Sequence, residues 1–360
     1  MDITAYILEE ARRHPSMEAQ DVVKLCYQAA FGAEHMLGDT TKALAYFQEE
    51  YEFTFADDKP LAEHIAPDVC RVNLGAWKRL GLNPDWLWSL FSENSFADSG
   101  NFDDYLAQAS SVTAEWAKYI ADYKVGPVHH SEAYREKEKP AYRILSGWTV
   151  SVLPLLEAMA GLTGGVIAID GRAASGKSTF AQGFADVIFG NKPIIIKMDD
   201  FFLPSELRTP ERLAQPGGNI HYERFAEEVL PNIRSGKGFE YRKFDCGRMD
   251  YDGTVEVPPH LWRIVEGVYS CHPAHGDYMD IQVFMDVTPD VQRKRIGNRN
   301  NPTIAATYIE KWIPMEEAYF NAFAGPKIHE KRYIFMDTSG NNQNNNENLY
   351  QKRQNHTDSN

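Results

Sequence analysis

Gly171-Arg172-Ala173-Ala174-Ser175-Gly176-Lys177-Ser178 decides the reading of this chain. Two glycines flank four residues, and a lysine and a hydroxyl residue follow, a complete phosphate-loop pattern. Glycine lets backbone N–H groups curl around phosphate oxygens with no Cβ in the way. The run Val166-Ile167-Ala168-Ile169 before the loop predicts a buried strand, and Phe180, Phe184, Ala185 and Ile188 after it have the spacing of an amphipathic helix. Strand, loop and helix in this order are the context the motif requires. The helix start adds partial positive charge. Lys177 is placed to reach the β- and γ-phosphates of a nucleotide and Ser178 to ligate Mg²⁺. Gly171, Ala173, Ala174, Ser175, Gly176 and Thr179 complete the expected nucleotide-binding set. ATP and Mg²⁺ are the cofactors this motif predicts.

Working outward, four more short apolar runs lie at 194–196, 262–265, 281–285 and 333–335, with helical patterns between most of them. Short apolar strands alternating with helices predict an α/β unit, a parallel sheet covered on both faces. The second run leads into Asp199-Asp200-Phe201-Phe202-Leu203-Pro204. A carboxylate at the C-terminal end of a strand beside the loop stands at the crevice where such sheets bind ligands. There Asp199 could take a proton from an attacking hydroxyl. Phe201 and Phe202 either wall a substrate pocket or belong to the core.

Residues 165–340 resemble the uridine kinase-like family of P-loop kinases, which includes nicotinamide riboside kinase, pantothenate kinase and phosphoribulokinase. The resemblance rests on the phosphate loop, on Asp199-Asp200-Phe201-Phe202 and on Ile264-Val265-Glu266-Gly267. It implies a five-stranded parallel sheet, Asp199 as catalytic base, Asp200 as a candidate for the Mg²⁺ shell, and Glu266 as an aid to metal or substrate. It also implies that Arg293, Arg295 and Arg299 form a lid that closes on the phosphates, on a helix opened by Thr288-Pro289. Trp312-Ile313-Pro314 and Tyr319 resemble the structural helix after the lid. The segments 215–219 and 242–248 occupy the place of the acceptor loops, with His221 and Arg248 as substrate contacts. At position 221 relatives frequently carry aspartate.

The first 160 residues read as a mostly helical domain of unassigned role. Ile3, Tyr6, Ile7 and Ala11 have helical spacing, as do Val22, Val23, Cys26, Ala29 and Ala30 up to Gly32. Asp39 precedes a third helix through Phe47 and Tyr51. Asn83-Pro84 reads as an N-cap with proline at the first helical position. Helices are also expected over 102–119 and 150–159, and no strand signal stands out. His129-His130-Ser131, with Tyr134, Arg135, Tyr142 and Arg143, offers an anion site, but alternating charge at 136–139 favours a solvated linker or helix face. No ligand spacing supports a metal on His35 with His129 or His130. Residues 341–360 hold eight asparagines and read as a disordered tail.

The chain's 360 residues suit two domains, and 43% hydrophobic with 24% charged residues argues against global disorder. A net charge of −14 disfavours nucleic acid and anionic membrane as partners. With no leader pattern, no apolar 18-residue span and four scattered cysteines, the expectation is a cytoplasmic protein with free thiols. The expected activity is ATP-dependent phosphorylation of a hydroxyl on a small-molecule acceptor, a nucleoside or related riboside, with Asp199 as base. A homo-oligomer is compatible with this. Two alternatives stay open: an ATP-binding switch whose helical domain contacts a protein partner, and a second enzyme within residues 1–160.

Overall fold

The computed structural model describes residues 2–33, 36–93, 101–124, 126–192, 194–323 and 332–339. His35 and the segment 341–360 lie outside the described residues. The chain divides into two compact units, Met1–Gly161 and Leu162–Asn360.

In the first unit the capping residues act as their chemistry dictates. Asp39 accepts the Lys42 N–H ahead of helix Thr40–Phe53, and Asn83 accepts the Asp85 N–H ahead of helix Pro84–Ser92. Gly32 ends helix Ala19–Phe31 at φ +58°. The helix expected over 102–119 is two helices, Phe102–Ser110 and Ala114–Asp122, because the Thr113 hydroxyl caps a new start by accepting the Trp116 N–H. The sequence reading missed three antiparallel strands: β1 (Ala62–Ala66), β2 (Val69–Asn73) and β3 (Tyr142–Ser146), in spatial order β1-β2-β3. Every residue of β2 is buried, Arg71 included, so the alternation that marks a half-exposed strand is absent.

Of the two expectations for the charged stretch at 136–139, a solvated linker or a helix face, the structure has a helix, and the histidine ahead of it is not solvated. His130 is buried; its Nδ1 lies 2.8 Å from Asp21 and its Nε2 2.6 Å from the Tyr142 hydroxyl. The helix that follows, Glu132–Glu138, exposes Glu132, Arg135, Glu136 and Lys137, while Glu138 turns inward to His14 and Ser16.

The second unit holds β4 (Gly165–Gly171), β5 (Ile195–Lys197), the antiparallel hairpin β6 (Phe239–Asp245) and β7 (Asp250–Val257), then β8 (Trp262–Glu266), β9 (Ile281–Asp286) and β10 (Arg332–Asp337). Five of these form an all-parallel sheet in the order β10-β9-β4-β8-β5. Each of its strands grew from one of the five apolar runs. Val166, Ile167, Ile169, Ile196 and Val265 are fully buried, each contributing about 2 kcal/mol of apolar transfer. The chain leaves β4 through helix Lys177–Phe189 and reaches β5 with a vacant position between them, which β8 later fills. Register then sets Glu266 opposite both Ile169 of β4 and Lys197 of β5.

Candidate active site

The phosphate loop is held open by its own carbonyls. Lys177 Nζ donates to the carbonyls of Gly171 (2.9 Å) and Arg172 (2.7 Å). Gln292 binds the Ala173 carbonyl at 3.1 Å, Arg295 that of Ala174 at 3.1 Å, and the Thr338 hydroxyl that of Ser175 at 2.8 Å. Five successive carbonyls are thus tied down on protein donors. Gly171, at φ +138°, has no room for a Cβ, which would sit 2.0 Å from the Met285 carbonyl oxygen. Ala174 and Gly176 take φ +58° and +95°, the left-handed turns that build an anion nest. No side chain caps helix Lys177–Phe189, so its first N–H groups remain for an anion. A loop amide does hold a carboxylate: Ala173 N–H donates to Glu316 Oε2 at 3.0 Å. The cradle therefore fits a phosphate.

Ser178 and Glu266 come together, the hydroxyl donating to Glu266 Oε2 at 3.1 Å. A hydroxyl and a carboxylate beside an anion cradle are a fitting oxygen donor set for Mg²⁺. Burial, then the neighbouring Asp199 charge, pushes the Glu266 carboxyl up, while Lys177 pulls it down. Asp199 lies two residues past β5, in the single turn Met198–Phe201. Its side chain opens to solvent, yet the cleft walls desolvate it enough to raise its carboxyl above the ordinary 3.8. Lys177, Lys197 and Arg299 draw it back. Lys177 itself is lowered by burial, against the fields of Glu316, Asp170, Glu266 and Asp199. Lys177, Ser178, Glu266 and Asp199 thus meet at the C-terminal ends of three adjacent strands.

The other expected site residues divide. Arg299 reaches Asp199 by its field, at the end of helix Pro289–Arg299. Arg295 braces the loop, also donating to the Thr338 carbonyl at 2.5 Å. Arg293 does not join them: it stands about 200° around the helix from Arg295, exposed and 3.6 Å from Asp290. Asp200 accepts the Tyr241 hydroxyl at 3.0 Å, which commits it to the hairpin. Phe201, expected as an alternative pocket wall, is fully buried between Phe225 and Tyr241 with Arg224 over its ring, and so belongs to the core. Phe202 is half-buried and bridges Ile220. His221 donates its backbone N–H to the Phe201 carbonyl at 2.7 Å, and burial lowers its ring's affinity for a proton. Arg248 is exposed in the β6–β7 turn, paired with Asp252. The segment 242–248, expected as a loop, is the end of β6 and that turn.

No protein-family model matches the chain. A uridine kinase of Limosilactobacillus reuteri (strain DSM 20016) is 28% identical over 197 residues, covering 49% of this chain and 85% of that protein. The second unit is similar to the uridine kinase-like P-loop kinases. The chain is accordingly an enzyme, a P-loop small-molecule kinase. Among solved structures, a protein assigned as a fructose transport system kinase from Silicibacter sp. TM1040 has TM-score 0.40 at 20% identity, covering 48% of this chain and 93% of its own. D-glycerate 3-kinase from Cryptococcus neoformans has TM-score 0.36 at 12% identity, covering 48% and 86%.

Two residues of the kinase site escaped the sequence reading. Asp170, just before the loop, is buried and accepts from the backbone N–H of Gly171 (2.7 Å), Tyr269 (3.1 Å) and Cys271 (3.0 Å), and from the Tyr319 hydroxyl (2.7 Å). A carboxylate closing an otherwise apolar strand run was its available signal. Glu316, in helix Ile313–Phe323, left no signal, because its partner Ala173 lies 143 residues away.

Proposed function

We propose that this kinase transfers the γ-phosphoryl group of ATP to a hydroxyl of a nucleoside or related riboside, with Asp199 as the base. The observation that carries the reading is the meeting of Lys177, Ser178, Glu266 and Asp199 at the ends of β4, β8 and β5. Loop amides and the uncapped helix start cradle the phosphates. Lys177 leaves the Gly171 and Arg172 carbonyls to meet them. Ser178 and Glu266 hold Mg²⁺, which neutralises phosphate charge when bound. Asp199 accepts the acceptor's hydroxyl proton as the new P–O bond forms and the bond to the ADP oxygen breaks. Its raised pKa makes it a stronger base than a free aspartate, and the lysines and Arg299 keep it ionised before the proton arrives. Arg299 then faces the charge that develops in transfer. Tyr308 and Cys246 lie within reach of the Asp199 charge, which helps to raise both. The riboside class is supported by the curated uridine kinase relatives.

No helix among the described residues is long and apolar enough to cross a membrane. The test is Mg²⁺-dependent ATP consumption over a panel of nucleosides, nicotinamide riboside, pantothenate, glycerate and sugars, with Lys177→Ala as the blank. Stimulation by a nucleoside or riboside supports the proposal. Stimulation only by sugars or glycerate overturns the acceptor class. ATP binding without any stimulated turnover favours the switch.

A further inference from the structure

Three side chains of the first unit converge on a point that phosphoryl transfer does not use. Glu10 and His14 stand one turn apart at the end of helix Thr4–Arg13, and Glu63 comes from β1. They are 1%, 8% and 7% exposed, and their ligand atoms lie within 4.8 Å of one another. His14 Nε2 is 3.9 Å from Glu10 Oε1 and 3.7 Å from Glu63 Oε2. It is buried and has no hydrogen-bond partner. Both gaps are too long for hydrogen bonds. They match the roughly 3.4–4.2 Å between two ligands that each stand about 2.1 Å from a shared ion, at angles from tetrahedral to straight.

The surroundings prepare the same point. His14 Nδ1 is 2.9 Å from Glu138 Oε2, and the other Glu138 oxygen accepts the Ser16 hydroxyl at 2.7 Å. A carboxylate on Nδ1–H sets the tautomer whose Nε2 lone pair faces Glu10 and Glu63. Three carboxylates crowd here against one buried guanidinium, Arg71, which pairs with Glu10 and donates to Gln28 Oε1 at 3.2 and 3.0 Å. Two lone pairs on a carboxylate oxygen let Glu10 serve Arg71 and an ion together. With a neutral imidazole, the buried excess of negative charge is what a dication would offset.

We propose that Glu10, His14 and Glu63 bind one divalent transition ion of the borderline character of Zn²⁺, through an imidazole nitrogen and two carboxylates. Three protein ligands leave a coordination position for water or a substrate atom.

The test uses the full chain carrying Cys246→Ser, which removes the exposed thiol, stripped with chelator and titrated with Zn²⁺ by equilibrium dialysis with elemental analysis. One equivalent should be retained, and retained equally by Ser178→Ala, which weakens the kinase metal site. His14→Gln and Glu63→Gln should each weaken binding at least about tenfold. Co²⁺ loaded into the same protein should show visible absorption bands that His14→Gln removes. Lack of a tight equivalent in the parent overturns the proposal and leaves His14 as an imidazolium between Glu63 and Glu138. Unchanged affinity in either glutamine variant overturns the ligand set. If His14→Gln does not fold, Glu63→Gln and the parent titration decide alone.

Discussion

Glu316→Gln should make the protein more stable, and only above acid pH. The Glu316 side chain is 5% exposed and holds the Ala173 amide. Burial, the largest cause, pushes its carboxyl from 4.5 up to about 7, with the Ala173 bond and Lys177 pulling down and Asp170 pushing up. That rise, at about 1.4 kcal/mol per pH unit, amounts to about 3 kcal/mol. The folded state binds the proton more tightly than the unfolded chain. The stabilising contribution is therefore complete below pH 4.5 and lost as pH rises through about 7. Glutamine carries no charge at any of these pH values and keeps an oxygen for Ala173. Urea unfolding of wild type and variant across pH 4 to 8 isolates the difference, because every other titrating group is common to both. Near-equal stability is expected at the acid end, with the variant ahead by about 3 kcal/mol at pH 8. A difference that does not change with pH, or a variant less stable at pH 8, would refute the assignment of a desolvated carboxylate on the loop.

Lys177→Ala should leave the circular dichroism spectrum intact and cut phosphoryl transfer at least about 10³-fold, read by a coupled ADP assay; undiminished turnover in the folded variant would sink the loop assignment. Asp199→Asn should lower kcat about 10²- to 10⁴-fold with ATP affinity almost unchanged, and equal losses in both would indicate a metal ligand instead. The acid limb of the wild-type kcat/KM profile should lie above the ordinary aspartate value of 3.8, and a limb at or below it would count against Asp199 as base. Gly171→Ala forces a Cβ to 2.0 Å from the Met285 oxygen at a φ of +138°; ATP binding should be lost and stability should fall by more than about 2 kcal/mol, so wild-type affinity in calorimetry would contradict the packing.

The five parallel strands were legible because each appears as a short apolar run, and the central pair β4 and β8 is buried on both faces. The hairpin β6–β7 was not. Its strands carry Glu240, Arg242, Lys243, Asp250, Asp252 and Glu256 among few buried positions, so its polar face hid it as loop. β2 was hidden for the opposite reason. Its buried Arg71 reads as a surface residue until Glu10 and Gln28, 61 and 43 residues away, are brought beside it. Phe201 and Phe202, adjacent and alike in sequence, take different environments, which only the packing of Phe225 and Tyr241 decides.

The sequence by itself determined the phosphate loop, because curling amides around an anion needs contiguous residues at a set spacing. It also marked Asp199 and Glu266 at strand ends. The tertiary structure alone decided that they share one cleft: the order β4-β8-β5 inserts a strand distant in the chain between two earlier ones. It alone assigned Gln292, Arg295 and Thr338 to the loop carbonyls and Glu316 to a loop amide. Local spacing encodes what neighbours along the chain can do together. Burial, register and many of the charges that shift a carboxyl come from residues far apart in the chain, 88 positions for Ser178 and Glu266 and 143 for Ala173 and Glu316, and these meet only in the fold.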